Sequence, residues 1–236
     1  MTEYRDLEAR ISKSLGLKKR PVAMKFMAKP PAQVTKFEGA EPSSCSYWRL
    51  AAAGKTFYTV ASDHYNCAVG GYTHNIPLPP ERAKELDQTL AFMTGLGYIR
   101  MEEVPGIPRV AETPGAIVYS PLGDAPVDPD VVIFAGTAAQ IMLVQEAAQS
   151  AGNAAHFPML GRPTCMALPA SLANGTVTSS GCIGNRVYTD LGEGELYAVV
   201  RGRDVGAIAD KLESIGEANA KLSEYHRSRR QEISTQ

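Results

Sequence analysis

Apolar and polar positions along the chain change period several times, and each change marks an element. Over residues 3–16, Tyr4, Leu7, Ile11 and Leu15 recur at three- and four-residue intervals and Gly16 follows, which predicts an amphipathic helix with a glycine stop. Residues 21–27 (Pro-Val-Ala-Met-Lys-Phe-Met) predict a strand, and 29–42, with its prolines and glycines among charges, predicts a loop. A short helix is expected over 46–53, and the aromatic and β-branched run 56–60 reads as a strand. From Pro79-Pro80 to about Thr94 a helix with Ala83, Leu86, Leu90 and Met93 on one face is expected.

The region 98–130 reads as short strands alternating with turns, with 116–120 the best of them. The continuous apolar run 131–134 predicts a strand buried on both faces. A helix over 138–151 follows, opened by a Thr137/Gln140 capping box and apolar on most sides. This strand–glycine–helix unit is shaped like half of a nucleotide-binding fold, but the chain has no G-x-G-x-x-G and no P-loop. A short helix from Cys165 to Asn174, strands at 176–179 and 195–200, and a helix running from near Asp204 through Leu222 complete the chain. Arg227, Arg229 and Arg230 predict a frayed tail over 227–236. The fold expected is α/β or α+β: a single compact domain over 1–236, with a mixed β-sheet flanked by helices.

Composition narrows the function classes. The formal net charge of -1 removes the electrostatic drive for non-specific nucleic-acid binding, so no nucleic-acid partner is expected. No apolar run reaches the ~20 residues of a membrane span, and the charged N-terminus has no signal-like apolar segment. A cytoplasmic protein with no membrane association is therefore expected, where structural disulfides are rare and the four cysteines are reduced core residues or metal ligands.

Cys45, Cys67, Cys165 and Cys182 contain no C-x-x-C, so a shared site has to be assembled by folding from distant segments. Their surroundings favour one. Cys67 precedes Gly70 and Gly71, Cys182 lies between Gly181 and Gly184, Cys165 follows Pro163 at a helix start, and Cys45 stands at a loop-to-helix junction. Cysteines placed for packing belong on apolar stripes, not at element boundaries. Thiolate-only ligation favours zinc or an iron–sulfur cluster, and glycine turns that supply N–H···S bonds suit a cluster. Four unrelated thiols remain the competing reading of these contexts.

Other residues carry weaker signals. Arg162 and Arg186, each near a cysteine in sequence, either hold an anionic group or make structural ion pairs. His64 and His74 bracket Cys67, which admits a mixed Cys/His site, and surface or satisfied histidines are the commoner reading. Asp63 and Asn185 either position a substrate or hold their turns. His156 and His226 have no partner in the sequence. A cysteine nucleophile with a histidine base would need Cys67 or Cys182 to meet His64 or His74, and no third orienting residue is identifiable.

The segments Cys67-Ala-Val-Gly-Gly, Arg162-Pro-Thr-Cys165, Ser180-Gly-Cys182-Ile-Gly-Asn-Arg186 and Glu217-Ala-Asn219 resemble the uncharacterised family called domain of unknown function 169 (ArCR). The resemblance covers nearly the whole chain and is most specific at Ser180–Arg186. It implies that these motifs belong together, and it implies no activity.

The expected cofactor is a four-iron four-sulfur (4Fe-4S) cluster on Cys45, Cys67, Cys165 and Cys182, with Gly70, Gly71, Gly181, Gly184, Arg162 and Arg186 around it, in a redox or substrate-activating role. A zinc-bound structural or binding module and a metal-free protein that binds a small anion are the alternatives. A small anionic substrate, a redox partner and a homo-oligomer are the partners these readings admit.

Overall fold

Three central strands carry unbroken apolar runs, Val22–Met24, Val131–Ala135 and Leu196–Val200, because the sheet they form is covered on both sides. The computed structural model describes residues 2–153 and 159–234, so His156 lies outside the described residues. In chain order the elements are helix α1 (Thr2–Leu15), strand β1 (Val22–Met27), α2 (Ser46–Ala52), β2 (Phe57–Thr59), α3 (Ala68–Thr73), α4 (Pro80–Gly95), β3 (Ala116–Pro121) and β4 (Val131–Thr137). They continue with α5 (Ala138–Ser150), β5 (Met159–Leu160), α6 (Ala167–Asn174), β6 (Val177–Ser179), α7 (Ile183–Thr189), β7 (Glu195–Arg201) and α8 (Val205–Ser234). The strands form one sheet in the order β2-β3-β1-β4-β7-β6-β5, antiparallel throughout except for the parallel β5–β6 pair. This is an α/β domain with a mixed sheet, as the sequence predicts.

Neighbouring residues of the central strands feed opposite cores. Val22, Met24, Val131, Ile133, Tyr197 and Val199 pack on one face against α2 and α6, through Tyr47, Trp48, Leu50 and Leu168. Ala23, Val132, Phe134, Ala198 and Val200 pack on the other against α1, α5 and α8, through Leu7, Ile11, Ile141, Val144, Ile208 and Leu212. The alternation follows from the two-residue period of a strand. Each fully buried aliphatic side chain contributes about 1.5–3 kcal/mol, which makes the two layers the main stabilising term. All four cysteines belong to segments on the α2/α6 face or at its edge.

One buried acid fixes the start of the chain to the sheet. Glu8 on α1 accepts from Arg20 Nε at 2.5 Å and from the backbone N–H of Gly123, while Arg20 also pairs with Asp124 at 2.8 Å.

Several expectations need correction. The nucleotide-fold likeness of 131–151 fails on strand direction: β4 runs antiparallel to both of its neighbours, β1 and β7, where such a half requires parallel strands. Among the described residues 98–115 contain no strand; Met101–Gly106 is a 3-10 turn instead, because Pro105 and the local glycine and charges give no extended apolar edge. The helix α5 has its predicted capping box, Thr137 N–H donating to Gln140 Oε1 at 2.8 Å, but Met142 is exposed, so the helix is amphipathic. The helix α8 extends to Ser234, with its outer half in solvent. Among the described residues no helix is long and apolar enough to cross a membrane.

Two glycines separate steric need from conformational choice. A Cβ on Gly202 would collide with the carbonyl of Pro129, whereas one on Gly216, inside α8, meets nothing within 4 Å. Gly202→Ala is expected to destabilise the protein by ~2 kcal/mol through forced displacement of β4's approach. Gly216→Ala is expected to add about 0.5–1 kcal/mol of helix stability. Urea unfolding of both variants checks this, and equal effects at the two positions would contradict it.

Candidate functional site

Each cysteine opens a helix or turn. Cys45 caps the N-terminus of α2, Cys67 that of α3 and Cys182 that of α7, while Cys165 lies in the 3-10 turn Thr164–Met166 that leads into α6. The glycine-flanked cysteines are therefore not on isolated turns as expected. Gly70, Gly71 and Gly184 lie inside the short helices that follow them, and only Gly181 has the left-handed backbone, at φ +73°. Gly70 is glycine for a steric reason. A Cβ there would collide with Ser44 Oγ and stand 2.9 Å from Cys67 Sγ. At Gly71 it would stand 3.0 Å from Leu78 Cδ2, and at Gly184 it would meet only open space and the edge of Tyr188.

The four segments meet. Ser44 Oγ hydrogen-bonds His64 Nδ1 at 2.9 Å, joining the Cys45 segment to the turn before Cys67. The Cys165 thiol faces the carbonyl of Val69, 3.9 Å away on α3. The backbone N–H of Cys182 donates to Thr164 Oγ1 at 2.6 Å, joining the last two segments. Gly70 N–H donates to Cys67 Sγ at 3.3 Å, and Ser43 Oγ lies 3.2 Å from Cys45 Sγ. Among the described residues, however, no three Cys, His, Asp or Glu side chains stand together as a metal-ligand group. The segments converge; the thiols do not cluster as a ligand set.

Electrostatics add to this picture. Burial pushes the Cys45 thiol up to about 11; hydrogen bonds with Ser43 and Asn185 pull the other way, and the neighbouring Cys67 and Cys182 add a smaller upward push. Burial raises Cys165 well above its usual value, and Cys67, Cys45 and Cys182 again raise it further. Both are neutral thiols at pH 7 and poor nucleophiles. Cys67 and Cys182 are half-buried.

Asn185 is placed to serve one of the thiols. It is 1% exposed and its side chain lies at the Cys45 thiol and the Tyr197 hydroxyl, pulling the pKa of each down against burial. A neutral thiol is a weak acceptor, whereas a metal-bound thiolate is a strong one. An amide donor in this place fits thiolate ligation at Cys45. From sequence Asn185 is a candidate for positioning a substrate or holding its turn, not a thiol partner, and Ser43, Ser44 and Thr164 were overlooked. Their one sequence signal is adjacency: each is next to, or two residues from, a cysteine.

The remaining candidates have structural roles in this geometry. Arg186 donates to the carbonyls of Ser180, Gly192 and Glu195 at 2.5, 2.8 and 3.0 Å, which ties the α7 region to the start of β7. Arg162 pairs with Glu103 at 3.3 Å and its guanidinium lies 4.8 Å from the centre of the Tyr98 ring. Asp63 accepts from Val60 N–H at 2.7 Å and holds its turn. His64 is bonded at both ring nitrogens, the second to Thr59 Oγ1 at 2.8 Å, so it is not free to act as a base. His74 is fully buried between Phe26 and His64, with neither nitrogen bonded.

A mixed-sheet α/β domain with thiols at four converging helix starts is the class that fold and site define. The chain belongs to the family described as domain of unknown function 169, uncharacterised ArCR, whose model matches residues 10–211. No curated protein and no solved structure matches the chain.

The two buried histidines generate a pH prediction. Burial lowers His74 from 6.5 to about 4, and burial together with His74 lowers His64. Between those values the unfolded chain binds protons that the folded chain excludes, so stability is complete above pH 6.5 and falls as pH drops toward about 4. For His74 the loss amounts to ~3 kcal/mol. Urea midpoints measured across this range should fall in the wild type and fall less in His74→Phe; parallel curves would contradict it.

Proposed function

We propose that Cys45, Cys67, Cys165 and Cys182 ligate one iron–sulfur cluster, of the four-iron four-sulfur type, and that the protein is a redox or substrate-activating iron–sulfur protein. The observation that carries the reading is the convergence of four cysteine-bearing helix starts, held by Ser44–His64, Cys165–Val69 and Cys182–Thr164 contacts. The donor set is thiols alone, as a cluster or zinc requires.

The chain's own residues have definable tasks in this reading. Gly70 N–H, already directed at Cys67 Sγ, and Asn185 Nδ2, beside Cys45, supply the N–H···S bonds that tune a thiolate-bound centre. Ser43 Oγ adds a hydroxyl donor to Cys45. The absence of a side chain at Gly70 lets α3 approach the Cys45 segment. Cys45 and Cys165 are the buried ligands, while Cys67 and Cys182 form the side nearer solvent. The cluster supplies one-electron transfer when all four cysteines bind it, and a Lewis-acidic iron when one does not.

Anaerobic purification, or reconstitution with iron and sulfide, should give a brown protein with absorbance near ~400 nm and about four irons and four sulfides per chain. Single Cys→Ser changes at the four positions should each reduce cluster content several-fold. A colourless protein without iron after reconstitution would overturn the reading. One zinc per chain with no such absorbance would replace the cluster with a zinc thiolate site.

A further inference from the structure

Helix α8 outruns the domain that anchors it. Val205, Ile208 and Leu212 are buried against α1 and α5, Ile215 packs at the margin of that layer, and Asn219 Nδ2 donates to Glu146 Oε2 on α5 at 2.6 Å. From Ala220 to Ser234 every residue but Ser223 is exposed. The exposed length is roughly 20 Å. A helix this short is marginal in water unless one of its faces is packed.

The exposed part keeps the spacing of a packing face. After Ile215 the three- and four-residue intervals of the buried positions continue through Asn219, Leu222, His226, Arg229 and Ile233, the repeat of a helix–helix seam. Leu222 is 54% exposed and Ile233 56%, with Tyr225 beside them at 61%, so apolar side chains of this seam stand in solvent. Polar residues inside such a seam lower its stability and fix the register and orientation it accepts.

Charge along the segment selects what covers it. Residues 213–224 carry Glu213, Glu217 and Glu224 against Lys221, whereas 225–234 carry Arg227, Arg229 and Arg230 against Glu232. Such a helix is its own complement when a second one runs antiparallel about a two-fold axis, acidic half on basic half. Parallel pairing would set the arginines of both helices together. We infer that the outer half of α8 pairs antiparallel with the same segment of a second copy of this chain. With Ile215 of one copy opposite Ile233 of the other, Leu222 faces His226 and Asn219 faces Arg229. That register brings Arg229 of the second copy to the Asn219–Glu146 pair, where a carboxylate meets it. The contact Arg229 makes within its own helix, to Glu232 at 3.4 Å, is exposed and contributes little against this exchange. The inference does not depend on what the thiols bind.

Sedimentation velocity of the full chain over a dilution series tests this. A monomer–dimer equilibrium is expected, and Leu222→Lys should weaken dimerisation by about tenfold or more. Leu222 is exposed in the single chain, so the monomer of that variant should melt as the wild-type monomer does. Charge reversal supplies a rescue. Glu213→Lys/Glu217→Lys alone and Arg229→Glu/Arg230→Glu alone should each be monomeric, and an equal mixture of the two should dimerise. A photo-crosslinking residue placed at 233 should be recovered on the peptide that holds Ile215. A monomer at every concentration, a dimer that Leu222→Lys leaves intact, a mixture that stays monomeric, or crosslinks joining 233 to 233 would overturn the inference.

Discussion

The central strands β1, β4 and β7 must be apolar on both faces, and the rest of the molecule follows from that constraint. Val131 to Phe134 alternate between two helical layers, as do Val22 to Met24 and Tyr197 to Val200. The runs Val22–Met24, Val131–Phe134 and Ala198–Val200 hold no polar side chain. Functional groups are displaced to the ends of the elements, where helices begin and strands give way to loops. The cysteines occupy such places. The one layer they share is the α2/α6 side, since the other side is closed by α1, α5 and α8.

On that side short-range contacts, not long helices, bring the segments together. Ser44 meets both His64 and the bare backbone of Gly70, so α2 and α3 start side by side. Thr164 holds the N–H of Cys182, so the entry to α6 and the start of α7 are joined. Burial and the proximity of other thiols both disfavour a thiolate at Cys45 and Cys165. A bound cation reverses both effects at once. The Asn185 side chain acts against both, as a donor toward charge on the Cys45 sulfur. A buried neutral thiol bears these shifts at no cost, so they set the charge state of Cys45 and Cys165 and do not by themselves call for a metal.

How much of this was legible beforehand depended on the range of the interaction. The amphipathic period of α1, the Thr137/Gln140 cap and the apolar run at 131–134 are local, and the structure has them where the sequence predicts. Strand direction is a long-range property, so the β4–α5 unit looked like a parallel half-fold until its antiparallel partners were seen. Glycine was misread for a related reason. Gly70 carries no sign in the sequence that its missing Cβ makes room for Ser44 and not for a turn. The role of Arg186 was equally hidden, because its three acceptors are backbone carbonyls that every residue possesses. The cysteines could be grouped from sequence by their context, but the place of Asn185 at the Cys45 thiol depends on the tertiary fold.

The most direct test of a shared thiol site is an alkylation footprint read by mass spectrometry. Cys67 and Cys182 are half-buried and so report on ligation, whereas burial already shields Cys45 and Cys165. The account predicts that Cys67 and Cys182 resist iodoacetamide together in anaerobically prepared protein and become reactive together after chelation. Labelling of both at the same rate before and after chelation would contradict it.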